Sequence, residues 1–124
     1  MASGKFRIEN NLGFINIADE VIYAIARQAV AETKGVAKSH ERWGSELTAR
    51  WGAKSYGIGA KVQAVEHAAT IDIFAAIEMR FSVLKVGRDI QNHVKYRVEN
   101  FTGINVLRVN VHFVSVYKSE TNRD

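Results

Sequence analysis

A chain of 124 residues, 47% of them hydrophobic, has enough apolar material for one domain with its own core. It contains no cysteine, which excludes a disulfide framework and a thiolate metal site, and no proline, which argues against Pro-rich linkers. Seventeen Lys and Arg stand against 13 Asp and Glu, a net charge of +4, with the signs interleaved along the chain, whereas a dedicated nucleic-acid binder concentrates its positive charge on one stripe or arm.

The first ten residues lack the apolar stretch of a signal peptide, and no run approaches the roughly 18 to 20 apolar residues of a membrane span. The expected location is therefore cytoplasmic, without direct membrane insertion. Residues Gly13 to Ile17 read as a short strand or extended lead-in. From Asp19 to Thr33, Val21, Ile25 and Ala29 recur at four beside Ile22, Ala26 and Val30, which is one apolar face of a helix. Asp19 and Glu20 complement its N-terminal dipole, and Lys34 with Gly35 marks its stop. Val36 to Glu41 reads as a weak strand.

From Arg42 to Gly57 the periodicity disappears and a long loop is expected. Ile58 to Glu66 alternates as a strand, and Thr70 to Arg80 does the same, with Ile71, Ile73, Ala75, Ile77 and Met79 expected inside. Residues Glu66 to Ala69 are the hairpin between them. A second helix is predicted from Val83 to about Phe101, capped by Ser82, with Val86, Ile90, Val94 and Val98 as its buried row and Gly103 as its stop. Asn105 to Tyr117 alternates again, with Leu107, Val109, Val111 and Phe113 on one face. The expected order is β-α-β-β-β-α-β. One-sided helices and strands fit an α/β (α+β) two-layer sandwich, with two helices on one face of a largely antiparallel sheet.

Several spaced segments resemble one family. Gly13, Ile15 and Ile17 precede Val21, Ile22, Ile25, Ala26 and Ala29, and then Glu32, Gly35 and Val36. Later come Ile90, Gln91 and Val94, then Val98, Glu99, Thr102 and Gly103, then Val106, Val109, Asn110, Val111 and Phe113. In this order the chain resembles the alkaline shock protein family of bacterial cell-envelope stress proteins, as a single domain over residues 1–124 with a core of about 13–117. The resemblance implies a noncatalytic cytoplasmic protein without a cofactor, a homo-oligomer or filament, and recruitment to the inner face of the membrane by a membrane-anchored partner. It supplies no catalytic residues. Relatives commonly carry Tyr-Gly where this chain has Arg80 and Phe81, and many have a long polar tail that this chain lacks.

The residues themselves offer little chemistry. His40, His67, His93 and His112 form no pair at the short helical spacing of a zinc site. No Gly-x-Ser-x-Gly elbow is present, and Asp72 and Glu78, six residues apart on one strand, stand near 20 Å from each other, too far for a catalytic pair. Gly52, Ala53, Lys54 and Ser55 lack the glycine that should precede the lysine of a phosphate loop, and a strand follows rather than a helix.

Two surfaces remain as interface candidates. One is the helix face with Lys85, Arg88 and Lys95, joined by Asn92, Tyr96 and Arg97, which could meet phosphates or an acidic partner. The other is a repeat in the long loop, Arg42-Trp43-Gly44 and Arg50-Trp51-Gly52, holding both tryptophans. Tryptophan and arginine are the residues most enriched at binding hot spots. Nucleic acid is the alternative partner to protein, and the mixed outer face of the sheet suits a protein interface.

Overall fold

The computed structural model describes residues 6–37 and 58–118. The loop repeat with Arg42, Trp43, Arg50 and Trp51 lies outside the described residues, as does most of the predicted strand from Val36 to Glu41.

The described residues open with a hairpin. Strands β1 (Phe6–Asn10) and β2 (Gly13–Ile17) pair antiparallel, Phe6 opposite Ile17 and Asn10 opposite Gly13. Asn10 builds the turn, its Oδ1 accepting from the Leu12 N–H at 2.8 Å. Alternation sets Phe6, Ile8, Ile15 and Ile17 on one face. At the base Phe6 is 1% exposed and Ile17 packs against the core, whereas at the tip Leu12 is 96% exposed. The packed residues thus begin at Phe6, seven positions before the predicted start.

Helix α1 (Asp19–Ala31) follows an extended Ala18 that provides no side-chain cap. Its fully buried face is Ile22, Ala26, Ala29 and Val30; Val21, expected in the stripe, is exposed, and Ile25 is half-buried against the core. After the helix Gly35 takes φ 99°, and a Cβ there would stand 2.6 Å from Val86 Cγ2. This close approach needs glycine on both counts. Val36 then makes one antiparallel bridge to Ile77, flanked by Ala37 N–H to Ala76 O and Glu78 N–H to Gly35 O, each 2.9 Å.

Strands β3 (Gly59–Val65), β4 (Ala68–Glu78) and β5 (Asn105–Tyr117) form a sheet in the order β3-β4-β5, with helix α2 (Val83–Thr102) between the last two in sequence. Among the described residues the element order is therefore β-β-α-β-β-α-β. Strand β1 is an addition to the expected β-α-β-β-β-α-β, and the described start of the predicted strand from Val36 makes one bridge, while the α/β (α+β) class stands. Glu66 and His67 turn between β3 and β4 with φ 49° and 69°, the left-handed pair that a two-residue hairpin requires.

β3 pairs antiparallel with β4, but β5 pairs parallel to it, Ala68 opposite Asn105 and Glu78 opposite Tyr117. The reason is the crossover. Twenty residues of α2 run roughly 30 Å and return the chain to the start of β4, so that β5 can only travel in the same direction. Ser82 caps α2 by accepting from Lys85 N–H at 3.2 Å, and Gly103 closes it at φ 79°.

Both helices bury their stripes in one core. Ile22, Ala26, Ala29 and Val30 of α1 meet Val86, Ile90, Val94 and Val98 of α2 and Ile71, Ile73, Ala75 and Ile77 of β4. Two irregularities break the pairing of β5, between Ala69 and Thr70 and between Ala75 and Ala76, leaving Leu107 and Val114 out of register and exposed. The first moves Val106 inward in place of Leu107, which the uninterrupted alternation had placed inside. Met79, expected inside, lies beyond the end of β4 and is exposed.

Candidate interaction surface

Helix α2 carries the described part of the predicted interface, and its cations are largely engaged. Lys85 Nζ lies 3.3 Å from Asp89 Oδ2, and Lys95 Nζ lies 2.8 Å from Glu99 Oε2, both pairs four residues apart. Arg97 reaches across to α1, its Nη1 2.6 Å from Glu32 Oε1. Arg88 joins Val83, Leu84, Gly87, Gln91, Val111 and Phe113 around a groove between α2 and β5. The predicted face therefore divides: Lys85 and Lys95 serve ion pairs on the helix, while Arg88 sits at an apolar groove.

Three polar clusters surround the helices and sheet. Glu32, just past the end of α1, is an acid at the wrong end of a helix dipole. Gln28 donates to it at 3.2 Å, and His93 Nε2 lies 3.2 Å from the oxygen that accepts from Arg97. The hydrogen bonds from Gln28, then from His93 and Arg97, hold its carboxyl below the usual range.

On the other side of α2, Gln91, Lys95 and Glu99 stand four apart and face β5. Gln91 Nε2 donates to Val109 O at 3.0 Å, Lys95 Nζ to Val106 O at 3.0 Å, and Val106 N–H to Glu99 Oε2 at 2.9 Å. Lys95, then the Val106 N–H, keeps the Glu99 carboxyl below its ordinary value. The third cluster lies on the sheet face away from the helices. Asp72 accepts from Asn110 at 3.1 Å and lies 3.3 Å from His112, whose ring stacks on Phe74 with centroids 4.7 Å apart. His112 and Asn110, in that order, hold Asp72 below its usual range.

These clusters are made of mutually satisfied pairs on a folded scaffold, and among the described residues no three His, Asp or Glu gather in a way that could hold a metal ion. The row Gln91, Lys95 and Glu99 was missed as a unit by sequence reasoning, although its spacing of four was visible. Its target, the backbone of β5, could not be seen without the parallel register.

The alkaline shock protein 23 family, described by a cell envelope-related function, matches residues 7–118. The chain belongs to that family. A relative within reach of this alkaline-shock chain is the uncharacterized protein YqhY of Bacillus subtilis (strain 168), 30% identical over 108 residues, which cover 87% of this chain and 80% of that protein. Among solved structures, two variants of the MamM CTD are similar, one of them titled a manganese form. Their TM-scores are 0.47 and 0.48 at 12% identity, covering 78% of this chain and 98% and 96% of theirs. The family resemblance expected from the spaced segments is thus borne out along almost the whole described chain.

Proposed function

We propose that this alkaline-shock chain is a noncatalytic assembly or adaptor protein acting in cell-envelope stress or homeostasis, with proteins as its partners. The observation that carries this reading is the contrast on its surface. The α2 cations Lys85, Lys95 and Arg97 each have an acidic partner, while apolar side chains at the hairpin tip and beside the α2–β5 groove stay exposed. Paired cations release few counterions from a nucleic acid, whereas exposed apolar groups gain from a protein surface. The protein works in the cytoplasm and reaches the membrane through an anchored partner; no helix among the described residues is long and apolar enough to cross.

Sedimentation of the purified chain across a wide concentration range tests the reading, alongside binding of DNA and RNA at low salt. Concentration-dependent assembly and no nucleic-acid binding are expected. A monomer that binds nucleic acid with a steep salt dependence overturns it in favour of the nucleic-acid alternative.

A further inference from the structure

Among the described residues β5 pairs only with β4, so its other edge is a row of backbone donors and acceptors. Over thirteen residues this strand holds a single charged side chain, Arg108, and neither Gly nor Pro. Natural proteins cover or blunt such edges. Here α2 covers the first half: Glu99 and Lys95 take the N–H and C=O of Val106, and Gln91 takes the C=O of Val109.

One more step of four along the same helix row reaches Gly87, where the polar side chains stop. A Cβ at Gly87 would stand 3.6 Å from Phe113 Cε2, an ordinary contact, so packing among the described residues does not demand glycine. Glycine inside a helix costs about 1 kcal/mol relative to alanine, and its missing side chain leaves room for another backbone to approach closely. Carbonyls alternate along a strand, so Val111 and Phe113 point the same way as Val109, away from β4. Beyond Phe113 the irregularity at Val114 ends the regular edge. Among the described residues the open window is therefore Val111 to Phe113, bounded by the Gln91 cap and the bulge, beside a groove whose wall includes Val83 and Leu84.

We propose that this window is a two-fold interface at which β5 pairs antiparallel with β5 of a second copy, extending the sheet across both. The proposal rests on the assembly reading above and names its contact. A two-fold axis at His112 sets Val111 of each copy opposite Phe113 of the other, and these outward-facing pairs exchange four backbone hydrogen bonds. The helices of both copies lie on the same side, so the two grooves merge.

The area is in proportion. Val83, Leu84, Val114 and Val116 are 53%, 66%, 65% and 57% exposed. Together they hold on the order of 350 Å² of exposed side chain, close to half of the roughly 800 Å² that each partner gives to a standard interface. The paired backbone with Arg88 and Gln91 supplies more. A three-residue window centred on one residue suits a copy of itself, because the symmetry that satisfies one half satisfies the other.

The decisive variant is Gly87→Gln, which continues the row Gln91, Lys95 and Glu99 and can cap the window as Gln91 caps Val109. By sedimentation velocity the parent should dimerise or assemble further. Gly87→Gln should stay folded, melt no lower than the parent and bind itself at least tenfold more weakly. In parallel, His112→Cys places one thiol in a chain without cysteine, at a cross-strand pair whose Cβ atoms meet across the axis. It should oxidise to a covalent dimer much faster than Lys61→Cys on β3. If the parent assembles and Gly87→Gln assembles equally, or if the two thiols cross-link at equal rates, this contact is wrong while the assembly reading survives. A parent that stays monomeric at every concentration overturns both. Should Gly87→Gln fail to fold, the cross-linking rates decide.

Discussion

The β1–β2 hairpin and the β4–α2–β5 unit are written in similar alternating sequence and meet opposite fates. In the unit, Ile71, Ile73, Ala75 and Ile77 face Val86, Ile90, Val94 and Val98, and every one of these side chains is buried. In the hairpin the same alternation of Phe6, Ile8, Ile15 and Ile17 fastens only at its base, and the tip stands in solvent. The difference is a matter of layers rather than composition. A sheet face with two helices on it has a partner at each position, whereas a two-stranded ribbon is marginal by itself and takes its order from where it is rooted.

The largest test of this contrast places a charge in each region. Ile90→Asp should lose more than about 4 kcal/mol in urea unfolding, because an unpaired carboxylate enters the core, while Ile15→Asp, exposed midway along the hairpin, should change stability by less than about 0.5 kcal/mol. Equal losses would mean that the hairpin is packed along its whole length. Phe6→Ala sharpens the comparison by loosening the root. It should cost about 3 kcal/mol, the usual cost of emptying a phenylalanine site, and equilibrium unfolding measures it. A loss near zero would show that the hairpin contributes nothing to the core.

A gain is expected at the corner that feeds the unit. Arg80 leaves β4 with φ 93°, a conformation that costs side-chain-bearing residues. Arg80→Gly should raise the melting point by the equivalent of about 1 kcal/mol.

The smallest effect is electrostatic. Lys95 and the Val106 N–H depress the Glu99 pKa from its ordinary value of 4.5, so this carboxylate stabilises fully above that value and loses its contribution as pH falls through the lower folded value. Glu99→Gln should flatten the acid side of the stability profile by less than about 1 kcal/mol, the size of a partly exposed pair. Thermal melts from pH 7 to pH 3 would check it, and a variant profile parallel to the parent's would deny Glu99 this role.

What could be read in the sequence follows from the range of the interactions. Helix α2 was legible in full, because Ser82, the row from Val86 to Val98 and Gly103 are local signals that tertiary contacts reinforce. Strand β1 was not, since Phe6 and Ile8 alternate too briefly to stand out before their partner Ile15 is known. Leu107 was assigned inward because a bulge shifts the phase of a strand without leaving a glycine to announce it. The parallel pairing of β5 was implied by a long helix between two strands, but alternation alone reports faces, not directions. At the surface, Lys85 and Lys95 were visible as cations, and their acids at Asp89 and Glu99 were visible too. What the spacing could not tell was that Lys95 and Glu99 also tend the backbone of the last strand.

That parallel pairing also sets an order of events. β4 finds its antiparallel neighbour β3 across a two-residue turn, a closure of microseconds, but its other neighbour begins 27 residues after β4 ends. During synthesis at roughly 5–20 residues per second, β4 stands with one flank unpaired for seconds while α2 and β5 are still being added. Helix α2 can form in that interval from its own caps, and it already carries Gln91, Lys95 and Glu99 on the side where β5 will arrive. The last strand thus closes onto a prepared track, and its docking, the longest-range pairing between named strands of the sheet, is the step expected to set the folding rate.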